Sequence, residues 1–224
     1  MSPASCPVTK QESDDYSDPP LTPLQLIGRN PLSKHRILTE ELAEELRHHV
    51  PSILQISHTW ELLYSIEQCG TSLQTLYNNC RPNTNENLNR RRGFFIVVED
   101  TRGNIFGAYI NEHLRPLDGR YYYGNGDCFL WKVEKGKIKN LDNDTKSDKH
   151  TLNLRVYHYT SMNDFVIYSN NQFFSIGSGG GKFGLWIDSN LQIGASDPVD
   201  TFGNDKLSDH SKFNILGLEI WKIK

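Results

Sequence analysis

The chain has 224 residues, a formal net charge of −3 at pH 7 and a mean hydropathy of −0.57. This length fits one domain with short additions, and it can bury a core without disulfides or a metal. The slight acidity argues against nucleic acid as a partner, because proteins that bind it usually carry a basic excess. The longest apolar run is Phe94 to Val98, so we expect no transmembrane segment, and the polar N-terminus lacks a signal-peptide pattern.

Residues 1–32 are predicted to form a flexible N-terminal arm. Six of the ten prolines lie within residues 1–31, together with many Ser, Thr and Asp residues. Such a segment cannot bury enough apolar surface to offset the entropy lost on ordering. We therefore expect residues 33–224 to form the folded domain.

The first helix is predicted to begin near Thr39. Leu38, Leu42 and Leu46 recur every four residues, which is the spacing of one helical face. Pro51 would end the helix, because proline cannot donate to the next backbone hydrogen bond.

Residues 58–80 predict a second unit with a break in the middle. The segment WELLYS at 60–65 has the dense apolar character of a buried strand or a short turn. Gly70 interrupts it, and Thr71 or Ser72 can then cap a helix whose apolar face ends at Cys80.

From residue 93 onward the pattern changes to strands and turns, since 15 of the 17 glycines and 20 of the 24 aromatic residues lie there. Short turns between strands indicate antiparallel pairing. We predict an α+β fold, a two-sheet antiparallel β-sandwich with flanking helices, and a polar surface insertion at 134–153. The predicted strands are residues 94–100, 104–110, 120–124, 128–133, 164–168, 172–177, 183–188, 191–194 and 216–223.

An ordered series of segments resembles the TLDc domain, and within it the oxidation-resistance proteins, over about residues 33–224. Each segment alone is weak, but all of them in this order are specific. The long insertion at 134–153 indicates a divergent, fungal-like member. The segments are WELLYS at 60–65, GTSLQTLY at 70–77, FFIVVEDTRGNIFGAY at 94–109, YYGNGDCFLW at 122–131, FFSIGSGGGKFGLWIDSNLQIGAS at 173–196, TFGN at 201–204 and LEIW at 218–221.

The resemblance implies two antiparallel sheets with flanking helices and a role in resistance to oxidative stress. It also implies binding to the soluble catalytic sector (V1) of the vacuolar-type proton-pumping ATPase, through catalytic-ring and peripheral-stalk subunits, and promotion of the release or inhibition of that sector. On this basis we expect a monomeric cytoplasmic protein that is recruited to the vacuolar membrane, with a mitochondrial pool as a further location. No cofactor or metal is expected.

The glycine-rich segment from Ile176 to Lys182 invites comparison with a phosphate-binding loop. A P-loop requires the spacing G-x-x-x-x-G-K-[ST] at the start of a helix. Here Ile176 stands where the first glycine should be, Phe183 follows the lysine, and a strand pattern comes next. We therefore interpret the segment as a structural turn that allows close backbone approach.

Glu219 is the candidate polar site, because it lies inside the predicted last strand, where glutamate is disfavoured. If Glu219 is buried it needs a hydrogen-bond donor, and such groups can mark functional sites. A structural hydrogen-bonding role is the favoured interpretation. An enzyme that uses the Glu219 region is the alternative.

Four cysteines, Cys6, Cys69, Cys80 and Cys128, show no C-x-x-C spacing, which is typical of a reducing compartment. None has an obvious activating partner nearby in the sequence. The alternative to a binding protein is therefore a redox or peroxide-handling enzyme that uses one of these thiols.

Basic residues outside the apolar segments are the candidate partner-binding surface. They favour orientation and fast association with an acidic partner more than affinity. The arm is a further candidate contact. These basic residues are Arg90, Arg91, Arg92, Lys135, Lys137 and Lys139.

Overall fold

The computed structural model describes residues 21–82, 92–117, 119, 121–134 and 152–224. Within them it has a mainly antiparallel β-sandwich with few helices, so the predicted fold class is confirmed. No helix in these ranges is long and apolar enough to cross a membrane. The helices are α1 (Glu40–Arg47), α2 (Ser52–Gln55), α3 (Ile66–Cys69) and α4 (Leu73–Cys80). The strands are β1 (Gln25–Ile27), β2 (Thr59–Ser65), β3 (Phe94–Asp100), β4 (Ile105–Ile110), β5 (Phe129–Glu134), β6 (Asn153–His158), β7 (Ile167–Ser169), β8 (Phe173–Gly179), β9 (Lys182–Asp188), β10 (Ile193–Ala195) and β11 (Lys212–Ile223).

Strand β11 belongs to both sheets of the sandwich. Its C-terminal half lies between β2 and β3, and its N-terminal residues pair with β10. The first sheet therefore has the order β1-β2-β11-β3-β4-β5-β6, and the second has the order β11-β10-β9-β8-β7. All pairs are antiparallel except β1 with β2.

The main core fills the space between the two sheets. Ile96 of β3 and Leu130 of β5 belong to the same buried cluster as Ile176 of β8 and Leu185 of β9. Alternate residues of each strand point into this layer, as the two-residue period of a strand requires.

A second core lies on the outer face of the first sheet, beneath α1. Leu42 and Leu46 of the helix belong to one buried cluster with Trp60, Phe95 and other aromatic residues of the sheet. Trp60 stacks on Phe95 with ring centroids 4.5 Å apart. The sandwich therefore has a third, helical layer on one side only among the described residues.

The sequence places both longer helices correctly. Thr39 caps α1, where its side-chain oxygen accepts a hydrogen bond of 3.2 Å from the amide of Leu42. Ser72 caps α4, where its side-chain oxygen accepts a hydrogen bond of 3.3 Å from the amide of Thr75. Helix α1 ends at Arg47, and a separate short helix, α2, follows Pro51.

The structure differs from the sequence predictions in several elements. Strand β1 lies inside the predicted arm and pairs with β2, whereas residues 1–20 lie outside the described residues. The predicted strand at 120–124 contributes one isolated bridge, between Tyr123 and Ile167. Strand β6 was not predicted, and residues 135–151 of the proposed insertion lie outside the described residues.

Candidate functional site

The carboxylate of Glu219 lies buried under the segment that connects β1 to α1, which we call the strap (residues 28–38). Only 3% of Glu219 is exposed. Its two oxygens accept hydrogen bonds from the strap amides of Ile37 (3.3 Å) and Leu38 (3.1 Å) and from the indole N–H of Trp221 (2.9 Å). One carboxylate therefore satisfies three buried N–H donors, which removes the cost of burying them unpaired.

Arg29 of the strap completes the arrangement. Its Nη2 donates to both oxygens of Glu219 at 3.1 Å and to the carbonyl of Leu38 at 2.9 Å. Its guanidinium lies 4.8 Å from the ring centroid of Trp221, within cation–π range. We call Arg29, Glu219 and Trp221 the strap clamp. The clamp joins residues 190 positions apart in the sequence.

The strap lies close to the sheet because Gly217 leaves room for it. A Cβ atom at Gly217 would approach Ile37 Cδ1 to 2.6 Å and His35 Cε1 to 3.0 Å. His35 also pairs with Glu99 of β3 at 2.8 Å. Every strong contact of Glu219 is thus made to the strap or to Trp221 on its own strand, which is the behaviour of a structural group.

Asp100 is a second buried carboxylate, and it organises the turn between β3 and β4. Burial opposes its ionisation, but hydrogen bonds from Ser208 (2.7 Å), the Asn104 side chain (2.8 Å) and the amides of Asn104 and Arg102 (each 2.9 Å) outweigh it. The pKa of Asp100 is therefore lowered. The contacts hold the turn against the loop before β11.

Two of the four thiols are buried in the main core. Burial raises the pKa of both Cys80 and Cys128 to about 12, which keeps them protonated at neutral pH. Cys69 is half-buried and its sulfur accepts from the amide nitrogen of the Asn79 side chain at 3.5 Å. Cys6 lies outside the described residues.

The glycine-rich segment is the tip of the β8–β9 hairpin. Gly179 pairs with Lys182, and Gly180 and Gly181 between them have φ angles of +57° and +75°. Two successive residues with positive φ are the requirement of a type I′ turn, which is common in two-residue hairpins. The segment therefore joins two antiparallel strands, whereas a P-loop joins a strand to a helix.

Most of the predicted basic surface lies outside the described residues. Arg90, Arg91, Lys135, Lys137 and Lys139 lie outside the described residues and stay predictions. Arg92 is half-buried just before β3 and interacts with neighbouring groups.

Histidines cluster where the C-terminus of α1 meets the first sheet. The rings of His49 and His158 lie 5.9 Å apart, and each is within 6.2 Å of Phe129. Burial and the neighbouring His158 and His48 lower the pKa of His49, and Glu45 only partly opposes them. In the described part of the chain, no group of three or more His, Cys, Asp or Glu side chains is arranged to hold a metal ion.

The sequence analysis missed an aromatic surface on the outer side of the second sheet. Tyr168 of β7 and Trp186 of β9 flank Ser175 of β8 in register, on the side opposite the core residues. Their rings and four neighbouring ones form a chain of contacts with centroids 4.8–5.9 Å apart. We call this surface the aromatic face; its members are Tyr122, Phe165, Tyr168, Phe173, Phe183 and Trp186.

A family model described as the TLDc domain matches residues 32–224. The chain belongs to the TLDc-domain family. Similar proteins named Oxidation resistance protein 1 include one from Kluyveromyces lactis, 47% identical over 95% of this chain and 86% of its own length. The relative from Yarrowia lipolytica is 41% identical over 94% of this chain and 84% of its own length. The relative from Saccharomyces cerevisiae is 38% identical over 96% of this chain and 83% of its own length.

Several segments by which the sequence resembles TLDc domains have structural roles here. Within TFGN, Thr201 accepts from the amide of Ser178 at 3.3 Å and donates to its carbonyl at 2.9 Å, and Phe202 packs against the space left by Gly177. Within LEIW, Glu219 and Trp221 form the strap clamp with Arg29. These TLDc segments therefore contribute to the scaffold of the domain.

Proposed function

We propose that this protein is a non-enzymatic regulator that acts in resistance to oxidative stress. It binds the soluble V1 sector of the vacuolar-type ATPase and promotes its disassembled, inhibited state. In this proposal the protein is cytoplasmic and is recruited to the vacuolar membrane when it acts.

Family membership carries the proposal. The TLDc domain covers residues 32–224, and the relatives named Oxidation resistance protein 1 match nearly the whole chain. The oxidative-stress role rests on these relatives, and the action on the pump rests on the resemblance to the family. The local chemistry favours binding over catalysis, because Glu219 is engaged in the strap clamp and the thiols of Cys80 and Cys128 are buried.

A regulator of this kind works by differential affinity. If it binds the detached V1 sector more tightly than the assembled pump, it shifts the equilibrium toward detachment by no more than that difference. A one-hundredfold difference in affinity corresponds to about 2.7 kcal/mol.

The proposal is tested with purified components. The full chain is mixed with the isolated V1 sector and separated by size-exclusion chromatography, and co-elution is expected. The chain is then added to vesicles that carry the assembled pump, and V1 subunits released into the supernatant are measured together with proton pumping. Separate elution and unchanged assembly over the micromolar range would contradict the proposal.

The redox alternative has its own test. A variant with Cys6, Cys69, Cys80 and Cys128 all replaced by Ala or Ser removes every thiol. We expect it to protect cells against peroxide as well as the wild type, provided that its unfolding curve is unchanged. Loss of protection by a folded variant would favour thiol chemistry. Glu219→Gln serves the same purpose for the carboxylate.

A further inference from the structure

We infer that Asn125 is a site of spontaneous chemical modification, at which the side-chain amide is lost as ammonia and the residue becomes aspartate or isoaspartate. Asn125 and Gly126 form the only Asn-Gly pair in the 224-residue sequence. In such a pair the backbone nitrogen of the glycine can attack the asparagine side chain, and no Cβ atom hinders the approach. Both residues are exposed, so water and hydroxide reach the reacting atoms.

The pair lies at the tip of the loop that leads into β5, between two fixed points. On one side Tyr123 exchanges two backbone hydrogen bonds with Ile167, of 2.9 and 3.0 Å. On the other side Cys128 is buried, and its amide donates to the carbonyl of Asn125 at 3.2 Å. The loop therefore holds a turn at residues 125–128 in a defined shape, while the tip of that turn stays open to solvent.

The turn brings the reacting groups of Asn125 and Gly126 together. The Oδ1 atom of Asn125 accepts a hydrogen bond of 2.8 Å from the backbone amide of Asp127, two residues further along the chain. This contact folds the carboxamide back along the peptide bond between residues 125 and 126, because the hydrogen-bonded ring contains that bond. It also supplies a donor to the oxygen on which negative charge develops when the carboxamide carbon is attacked.

The attacking and the leaving nitrogen are both accessible. Within the described ranges, neither the backbone amide of Gly126 nor Nδ2 of Asn125 donates a hydrogen bond to another protein group. The attack therefore breaks no existing hydrogen bond at either nitrogen. Packing also requires a glycine here, because a Cβ atom at position 126 would lie 2.8 Å from Cδ1 of Tyr159. The fold thus retains the residue that makes this asparagine labile.

The reaction balances with water as the only co-reactant. The Gly126 amide gives its proton to hydroxide, and its nitrogen forms a bond to Cγ of Asn125. The bond from Cγ to Nδ2 then breaks, ammonia leaves with a proton taken from water, and a cyclic succinimide remains. Water opens this ring at Cγ to give aspartate, or at the main-chain carbonyl carbon to give isoaspartate.

Either product changes the loop. The formal net charge moves from −3 to −4, since a neutral amide becomes a carboxylate beside Asp127. Glu112 is a further acidic neighbour, because its Oε1 accepts a hydrogen bond of 3.4 Å from the amide of Gly124. Isoaspartate also lengthens the backbone between residues 125 and 126 by a methylene group, which disturbs the hydrogen bond from the Cys128 amide. We therefore expect the modified chain to be less stable than the unmodified chain.

Asn170, at the turn between β7 and β8, provides an internal reference. Its Oδ1 accepts hydrogen bonds from the amides of Gln172 at 2.8 Å and Phe173 at 2.9 Å, so its carboxamide is folded back in the same way. The residue that follows it is Asn171, whose side chain hinders the attack. Asn170 should therefore stay intact while Asn125 reacts.

Incubation of the full folded chain, followed by peptide mapping with mass spectrometry, tests the proposal. Conversion of amide to acid at Asn125 should be at least ~10-fold faster than at Asn170, because glycine leaves the attack unhindered. The rate should rise with pH, since the attacking amide has to lose its proton. An isoaspartyl methyltransferase, which labels isoaspartate, should label the peptide that contains residue 125.

Asn125→Gln is the decisive variant, because glutamine keeps the net charge but must close a larger ring, which forms more slowly. It should abolish conversion at position 125 and lower the methyl labelling. Asn170→Gln is the matched control and should leave both unchanged, and circular dichroism should show that both variants are folded. An intact Asn125 in the folded wild type, or equal rates at Asn125 and Asn170, would overturn the proposal. No pump component is present, so either result is independent of V1 binding.

Discussion

The two outer faces of the sandwich are built from similar residues and meet different surroundings. The first sheet carries aromatic rings and the buried carboxylate of Glu219, and α1 and the strap cover them. The second sheet carries aromatic rings that remain partly exposed. Similar chemistry therefore produces a buried core layer on one side and a partly exposed surface on the other, and the difference lies in what covers each face.

The outer face of the first sheet, which α1 and the strap cover, should be more sensitive to mutation than the outer face of the second sheet. Glu219→Ala is the sharpest test. The substitution leaves the Arg29 guanidinium and three N–H donors without their acceptor. We expect the free energy of unfolding to fall by about 3–5 kcal/mol, measured by urea denaturation. Glu219→Gln, which keeps one acceptor oxygen, should cost about 1–3 kcal/mol. Equal stability of Glu219→Ala and the wild type would show that the clamp contributes nothing.

Removal of a phenylalanine from each face compares them directly. Phe95→Ala creates a cavity beneath α1 and should lower the free energy of unfolding by about 3–5 kcal/mol. Phe165→Ala removes a ring that is already 45% exposed, so about 1 kcal/mol is expected. Thermal and urea unfolding of both variants checks the contrast. Similar losses at the two sites would contradict it.

Arg29→Lys should have an intermediate effect on the covered face. Lysine keeps the positive charge but loses the planar group that lies over Trp221, so we expect a loss of about 1–2 kcal/mol. A double-mutant cycle with Glu219→Gln measures the coupling within the strap clamp. Additive losses would indicate that the two side chains act independently.

The smallest expected effect concerns pH. The pKa of His49 is lowered from 6.5 in the folded state, mainly by burial and then by His158 and His48, so protons bind the unfolded chain more tightly. The free energy of unfolding therefore has its full value above pH 6.5, where His49 is neutral in both states. It decreases as the pH falls below 6.5 toward the pKa of His49 in the folded state. Urea midpoints from about pH 7.5 to pH 5 should therefore decline, and His49→Gln should flatten the decline. An unchanged slope in that variant would assign the effect to other groups.

Local patterns in the sequence were sufficient for the elements that depend on neighbouring residues. The four-residue period predicted α1, and the cap after Gly70 predicted α4. Strands β1 and β6 were missed because their partners, β2 and β5, determine them more than their own short sequences do.

In the candidate site, too, the sequence predicted what depends on one residue and missed what depends on distant partners. The sequence indicated that a buried Glu219 would need a donor, but nothing in it pointed to Arg29, 190 residues away. Phe173 and Phe174 are adjacent, and alternation alone could not say which one faces the core. The structure places Phe174 in the main core and Phe173 on the aromatic face, so this surface became visible only with the sheet order.

Strand β11 has a consequence for the order in which the protein can fold. It is the only strand described that both sheets share, and it supplies Glu219 to hold a strap that lies near the opposite end of the sequence. During synthesis neither sheet can be completed until β11 has emerged from the ribosome. Before that point the edges of β3 and β10 remain unpaired, and such edges invite aggregation. We therefore expect the two sheets to be completed together, once β11 is available to pair with β2, β3 and β10.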